Sequence, residues 1–203
     1  MTPPPGQELG SRYRRLAEYL GAIPAGIAAY PECTARRGVV EAVLSAMPDF
    51  TDQAPPLVAQ VLTMPRGPWV PEVVFNAAML PVADRAGWKD VQLLAWHRAL
   101  NRKLFRGPVY RAVMAFFSPR ALLAAGAGRW NSFHAGTVLE VTARGDRSGT
   151  AVLRHPPHLF TPLILRIYAE AFGAALENAR ATGRVAVELA EAGESSARFV
   201  ATW

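Results

Sequence analysis

Four histidines are the side chains of this sequence that could hold a metal ion or a haem iron. His97 lies in a segment whose leucines recur at helical spacing, and a helical imidazole among apolar side chains suits an iron porphyrin. His155 and His158 flank two prolines that predict a loop, so a third metal ligand would have to come from His134 across the fold. Two interpretations stay open: a haem or metal site, and histidines with structural roles.

The other reactive side chains form no catalytic arrangement in the sequence. Cys33 is the single cysteine, which excludes an intrachain disulfide, and the neighbouring Arg36 and Arg37 would lower its pKa. The serines lie outside any nucleophile elbow, and the carboxylates do not pair as general acid–base catalysis requires. Gly126-Ala127-Gly128 follows a helical pattern and not a strand, so it is no dinucleotide fingerprint. We therefore expect a protein that is not an enzyme.

A run of cations is the main electrostatic feature of the sequence. The formal charge is +6, from 22 Lys and Arg against 16 Asp and Glu. Such a run attracts polyanions, but the aromatic residues on which nucleic-acid bases stack are not interleaved with it. A solvated helical face is the competing interpretation, so nucleic acid is not the expected partner. The candidate polyanion contacts are Arg98, Arg102, Lys103, Arg106 and Arg111.

Length and composition predict a globular protein. The chain has 203 residues, of which 51% are hydrophobic and 19% charged, enough for one sizeable core. Pro, Gly or Arg interrupts every apolar stretch before the roughly 18 residues that a membrane span needs. Residues 1–10 are proline-rich and lack the apolar centre of a secretory signal, so we expect a disordered tail and a cytoplasmic location.

Apolar residues recur at helical spacing through the first half of the chain, between frequent prolines and glycines. Three prolines exclude regular structure from residues 64–71, although Pro71 suits the first position of a helix. In the first predicted helix, three arginines lie off the apolar stripe. These are Arg12, Arg14 and Arg15. The predicted helices span residues 7–20, 34–47, 71–79, 89–105 and 109–117.

From Gly136 onward the apolar spacing changes from 3.6 to 2, which indicates strands. Two hairpins flank one long helix, which predicts a β-β-α-β-β unit: a four-stranded antiparallel sheet with one face covered by helices. The hairpins are predicted at 137–154 and 184–203, and the helix at 162–180.

Two helix starts combine a capping hydroxyl with proline in the first turn: Ser118-Pro119 and Thr161-Pro162. Gly126 and Gly128 weaken the first of these helices, and close approach of a neighbouring element is expected to compensate. In the second helix, Arg166 and Glu170 have the spacing of an ion pair.

The fold class is therefore α+β, with a helical N-terminal lobe before the β-β-α-β-β unit. We expect a helical lobe at residues 11–117 and an α+β lobe at 118–203, packed as one compact unit. Aromatic residues concentrate where the helices meet the sheet, and any ligand pocket there should be lined by them. The candidate pocket residues are Trp96, His97, Trp130, Phe133, His134, Tyr168 and Phe172.

The segments Ser118-Pro119-Arg120-Ala121-Leu122-Leu123 and Arg129-Trp130-Asn131-Ser132-Phe133-His134-Ala135-Gly136, with the terminal Trp203, resemble an uncharacterised paralogous family expanded in myxobacteria. At greater distance the C-terminal part is similar to 4-vinyl-reductase-type domains, relatives of haem nitric-oxide-binding domains and of TRAPP core subunits. This resemblance implies that a pocket between helices and sheet binds a small molecule or an acyl chain, in a regulatory or scaffolding role. The tyrosine–serine–arginine signature of the haem-binding branch does not stand out in the sequence.

We predict a non-enzymatic regulatory or protein-interaction module, homodimeric or with a protein partner, that binds a small apolar ligand and needs no cofactor. One alternative is a haem- or metal-binding sensor that uses His97 or His134. A second alternative is a binder of nucleic acid or acidic protein that uses the basic helix.

Overall fold

The computed structural model describes residues 12–38, 41, 67–107, 117–143, 146–179, 181 and 183–203. The chain divides into two compact units. The first unit comprises Met1–Leu93 and His134–Gly136, and the second comprises Leu94–Phe133 and Thr137–Trp203. The expected division into lobes at 11–117 and 118–203 stays a prediction.

The first unit combines short helices with a three-stranded sheet. Its elements are α1 (Arg14–Ala22), β1 (Thr34–Arg36), β2 (Trp69–Pro71), α2 (Glu72–Met79), α3 (Pro81–Ala86) and β3 (His134–Ala135). Strand β1 lies between β2 and β3 and pairs antiparallel with both. Helix α2 packs against β1, β2 and α1, and every one of its residues is buried. The core of this unit therefore surrounds α2.

Two predictions for the first unit are wrong. Thr34–Arg36 is a strand where a helix was expected to begin, and Trp69–Pro71 is a strand inside the stretch expected to be irregular. Pairing between segments that are far apart in sequence explains both, because Ala35 lies opposite Val70 and beside His134. Pro71 is tolerated because it ends a strand at the edge of the sheet. The rest of the helix predicted at 34–47 falls largely outside the described residues, as does almost all of the helix predicted at 109–117.

The long amphipathic helix predicted at 89–105 is confirmed as α4 (Asp90–Arg106). The capped helix that follows is divided into α5 (Pro119–Ala124) and α6 (Gly126–Asn131). Ser118 caps α5 as predicted, since its Oγ accepts a hydrogen bond of 3.2 Å from the Ala121 amide. Both helices pack against the first strand of the sheet in the second unit.

The glycines of α6 differ in their surroundings. A Cβ on Gly126 would lie 3.0 Å from Val141 Cγ2, so the expected close approach is confirmed there. A Cβ on Gly128 would meet nothing within 4 Å, so the same expectation is wrong for Gly128.

The second unit contains the predicted β-β-α-β-β arrangement, which confirms the α+β fold class. Its elements are β4 (Val138–Ala143), β5 (Ser148–Arg154), α7 (Pro162–Asn178), β6 (Ala186–Ala192) and β7 (Ser196–Thr202). The strands form one antiparallel sheet in the order β4-β5-β7-β6. Thr161 caps α7 as predicted. Helix α7 packs against β6 and β7.

The predicted alternation of apolar residues places their side chains in the core of the second unit. Leu139, Leu153 and Phe199 are buried on the strands, as are Ile164 and Ile167 on α7. Each fully buried side chain of this size stabilises the fold by about 1.5–3 kcal/mol. Of the helices that the structure describes, none has the length and apolar character that crossing a membrane requires.

Candidate functional site

His97 is the most deeply buried of the four histidines, with 1% of its surface exposed. It lies on the inner face of α4, one turn from the buried Leu93 and close to the buried Leu100. The ring of Trp96 stands edge-on to the imidazole, with 4.8 Å between centroids and 79° between planes. Helical periodicity places this imidazole on the apolar face because 93, 97 and 100 fall on one stripe. The helix thus presents a single imidazole in apolar surroundings.

Two arginines of the helix that carries His97 join α4 to α7 through carboxylates. Arg98 donates to Glu170 at 3.0 Å and to Glu177 at 2.7 Å, and Arg102 donates to Glu177 at 2.6 and 2.7 Å. These hydrogen bonds, those of Arg102 first, outweigh partial burial and lower the pKa of Glu177 to about 2. We call this set the α4–α7 clamp: Arg98, Arg102, Glu170 and Glu177.

The α4–α7 clamp changes the interpretation of the basic run. Arg98 and Arg102, two of the five candidate polyanion contacts, are engaged by carboxylates of α7. Glu170 pairs with Arg98, whereas Arg166 was expected to be its partner. Lys103 and Arg106 are exposed on α4, and Arg111 falls outside the described residues. The sequence could not show this neutralisation, because Arg98 and Glu170 are 72 positions apart.

Three of the predicted pocket residues pack against one another in the core of the second unit. The Trp130 ring lies 5.5 Å from Tyr168 and 6.1 Å from Phe172, centroid to centroid. Phe160 and Phe199 extend the group, at 5.3 Å from Tyr168 and 5.2 Å from Phe172. The Trp130 indole also donates a 2.9 Å hydrogen bond to Thr137. These aromatic side chains therefore fill space between helices and sheet.

The remaining pocket candidates lie elsewhere. Trp96 and Phe133 are half-buried in the second unit, and His134 belongs to the first unit. There the Nδ1 atom of His134 is 2.9 Å from a carboxylate oxygen of Glu72, which is fully buried. A buried carboxylate requires such a partner. The structure thus groups Trp130, Tyr168 and Phe172 and assigns His134 to a separate pair.

Glu72 is a site residue that was not predicted from the sequence. It is a carboxylate inside the apolar run of residues 69–79, and a carboxylate buried at such a position requires a buried partner. That partner, His134, follows it by 62 positions and reaches it through β3.

Cys33 does not have the surroundings of a reactive thiol. Burial, followed by the nearby Glu32 and Glu72, raises its pKa to about 11, opposite to the lowering expected from two arginines. Arg36 stacks on Trp69 at 5.7 Å, and Arg37 donates to the Gly67 carbonyl. A protonated, buried thiol is a poor nucleophile.

His155 and His158 lie in the loop that the prolines predicted. His155 is buried, and its Nδ1 donates to the Pro156 carbonyl at 2.8 Å. Burial lowers the pKa of His155, and it outweighs this hydrogen bond, which acts to raise the pKa. His158 is half-exposed beside Glu194, at 3.3 Å. Nowhere in the part of the chain that the structure describes do three or more His, Cys, Asp or Glu side chains converge as metal ligands. A single axial histidine for haem iron does not need such a group.

Comparison with known proteins relates the fold to H-NOX domains, the haem nitric-oxide-binding group. A Cs H-NOX variant carrying 4-cyano-L-phenylalanine matches with a TM-score of 0.59 and 10% identity, over 82% of this chain and 95% of that chain. A structure concerned with haem redox potential and protein-induced porphyrin distortion matches with a TM-score of 0.54 and 10% identity, over 83% of this chain and 99% of that one.

An oxygen-binding H-NOX domain related to soluble guanylate cyclases, in its oxygen complex, matches with a TM-score of 0.50 and 11% identity, over 98% and 94% of the two chains. The sequence matches no protein-family model and no curated protein. The predicted likeness to the myxobacterial family, to 4-vinyl-reductase-type domains and to TRAPP subunits stays a prediction. At this identity the likeness concerns architecture alone, and the chain is similar in fold to H-NOX domains.

Proposed function

We propose that this chain is a non-enzymatic sensor domain that binds a haem-type cofactor, whose iron His97 would hold. The observation that carries the proposal is the almost complete burial of His97 on the apolar face of α4. The similarity in fold to an oxygen-binding H-NOX domain supports it. When bound, haem supplies an iron that takes diatomic gases such as oxygen or nitric oxide.

The donor chemistry of the second unit fits one axial ligand. His97 is a helical imidazole with an aromatic neighbour and leucines on the same stripe, which is the environment that an apolar macrocycle requires. The α4–α7 clamp begins at the next residue, Arg98, and restrains the rotation of the helix that carries His97. Because the His97 side chain is held in one orientation before haem binds, binding would cost less conformational entropy.

The other histidines fit the role less well. His134 is committed to Glu72 at 2.9 Å, and His158 is half-exposed beside Glu194. The proposed sensor corresponds to the haem- or metal-binding alternative, which the fold similarity favours over the main prediction. A regulatory module that binds a small apolar ligand between helices and sheet stays a prediction. A dimer or a protein partner stays a prediction. Binding of polyanions by α4 loses support, because carboxylates neutralise Arg98 and Arg102.

Titration of the full chain with hemin tests the proposal. We expect saturable binding at one hemin per chain, with a Soret band distinct from that of free hemin. Addition of carbon monoxide to the reduced complex should shift this band further. His97→Ala should remove the protein-specific Soret band, whereas the matched control His158→Ala should leave it intact. No saturable binding, or an unchanged spectrum in folded His97→Ala, would overturn the proposal.

A further inference from the structure

Arg15, a partly buried arginine with 10% of its side chain exposed, organises one side of the first unit. The Arg15 guanidinium donates to Asp84 at 2.6 Å, to Asp90 at 3.0 and 3.2 Å and to the Trp88 carbonyl at 2.7 Å. The Arg15 amide donates to the other oxygen of Asp84 at 2.9 Å, so Asp84 also caps α1. Burial opposes the charge on Arg15, but the hydrogen bonds to Asp84 and Asp90 prevail and raise its pKa. Both nearby carboxylates are thus engaged by Arg15.

A surface cleft of about 400 Å³ lies beside this arginine, between the start of α1 and the segment that follows α3. Arg12, Arg14, Arg15 and Lys89 contribute cations to its lining, and Asp84 contributes the one carboxylate among its lining residues. The formal charge of the lining is therefore +3, from four cations and one anion.

Arg15 is paired with Asp84 and Asp90, and two features limit the neutralisation of the other cations within α1. Helix α1 has no acidic residue in its first turn, where the partial positive charge of the helix terminus disfavours cations by about 0.3–1 kcal/mol each. Arg14 pairs with Glu18 at 3.0 Å, but both side chains are more than 60% exposed, and an exposed pair of this kind is weak. Placing three arginines here works against the stability of α1. Asp84 offsets this cost at Arg15, and a local rule that is broken and then compensated from another element is expected at a functional site.

We propose that this cleft binds a small anion of the phosphate class with more than one negative charge. Its volume falls within the range of small-molecule sites, roughly 300–1,000 Å³, and exceeds the needs of a single phosphate. Guanidinium groups match phosphate oxygens with two parallel hydrogen bonds, and an ammonium group such as that of Lys89 adds a point charge. Arg15 is held rigidly by its carboxylates, so Arg12, Arg14 and Lys89 are the side chains that move onto the ligand. The cleft shares no residue with the proposed haem site and does not depend on the haem proposal.

Calorimetric titration of the full chain with pyrophosphate, at constant ionic strength, tests this site. We expect saturable binding at one pyrophosphate per chain and at least a tenfold loss of affinity in Arg12→Ala/Lys89→Ala. Both side chains are exposed, so the double variant should fold, which its thermal unfolding will verify. The matched control removes two exposed cations of α4, Lys103→Ala/Arg106→Ala, and should bind as the parent chain does. Equal losses in the two double variants, or no saturable binding to the parent chain, would overturn the proposal.

Discussion

Arg15 in the first unit and Arg98 in the second each bind two carboxylates, yet the two arrangements differ in the burial of the acids. Asp84, which accepts from both the side chain and the amide of Arg15, has 6% of its side chain exposed. The second partner of Arg15, Asp90, has 45% exposed, and Glu170 and Glu177 have 28% and 25% exposed. When its cation is removed, a buried carboxylate is left without solvation, whereas water can solvate a partly exposed one. The contribution of an arginine to the free energy of unfolding therefore depends on how deeply its carboxylate partner is buried.

The same comparison separates two basic surfaces that look alike in sequence. On α4 the acids of α7 neutralise Arg98 and Arg102, two of the predicted polyanion contacts. At the start of α1, the acids engage Arg15, and three further cations line a cleft. Counting positive charges along the chain does not distinguish these two surfaces, because the carboxylates that pair with them are distant in sequence.

Removal of Arg15 should have the largest effect. Arg15→Met leaves Asp84 buried without its cation, so we expect a loss of about 3 kcal/mol in the free energy of unfolding. Arg14→Met is the matched control, because its pair with Glu18 is exposed, and it should change stability by less than about 0.5 kcal/mol. Urea denaturation measures both. Similar stabilities of the two variants would contradict the claim that the buried Asp84 makes Arg15 more important for stability than Arg14.

A double-mutant cycle at Gly173 should show a smaller effect. A Cβ at this position would lie 2.7 Å from Arg98 Cζ, so Gly173→Ala must displace the guanidinium from its carboxylates. Alanine is also the better helix former by about 1 kcal/mol. We expect little net change in the parent chain but a gain of about 1 kcal/mol in an Arg98→Met background, measured by urea denaturation.

Gly128→Ala provides the control for this cycle, since a Cβ there meets nothing within 4 Å. It should stabilise both backgrounds equally. If Gly173→Ala also behaves the same in both backgrounds, Arg98 does not cross α7 at Gly173.

The acid dependence of the α4–α7 clamp should be the smallest effect, because Glu177 is partly solvated. Its pKa falls from 4.5 to about 2 on folding, so between these values the unfolded chain binds the extra proton. The contribution of Glu177 is present above about pH 4.5 and is lost as pH falls toward 2. The difference in stability between the parent chain and Glu177→Gln should therefore shrink between pH 6 and pH 3. A constant difference across that range would argue against the clamp.

Local patterns predicted most elements of the second unit but missed the strands of the first. The caps at Ser118 and Thr161 and the alternation that buries Leu153 and Phe199 need only neighbouring residues, so they could be predicted. Strand β1 depends on partners about a hundred positions away, and no local pattern encodes that pairing.

The candidate sites divide in the same way. The position of His97 on the apolar face of α4 could be predicted, because it depends only on the spacing of neighbouring residues. The partners of Arg15 and Arg98 could not be located, since the ion pairs join residues about 70 positions apart. Side-chain ion pairs between distant elements leave no periodic trace in a sequence.

The most direct test of the central claim replaces His97 by glycine and supplies imidazole from solution. We expect His97→Gly to lose the side chain that holds the iron. Millimolar imidazole should then restore the Soret spectrum of the parent haem complex, and carbon monoxide should still shift the restored band. A parent-like spectrum of folded His97→Gly without imidazole would contradict the assignment of His97 as the ligand.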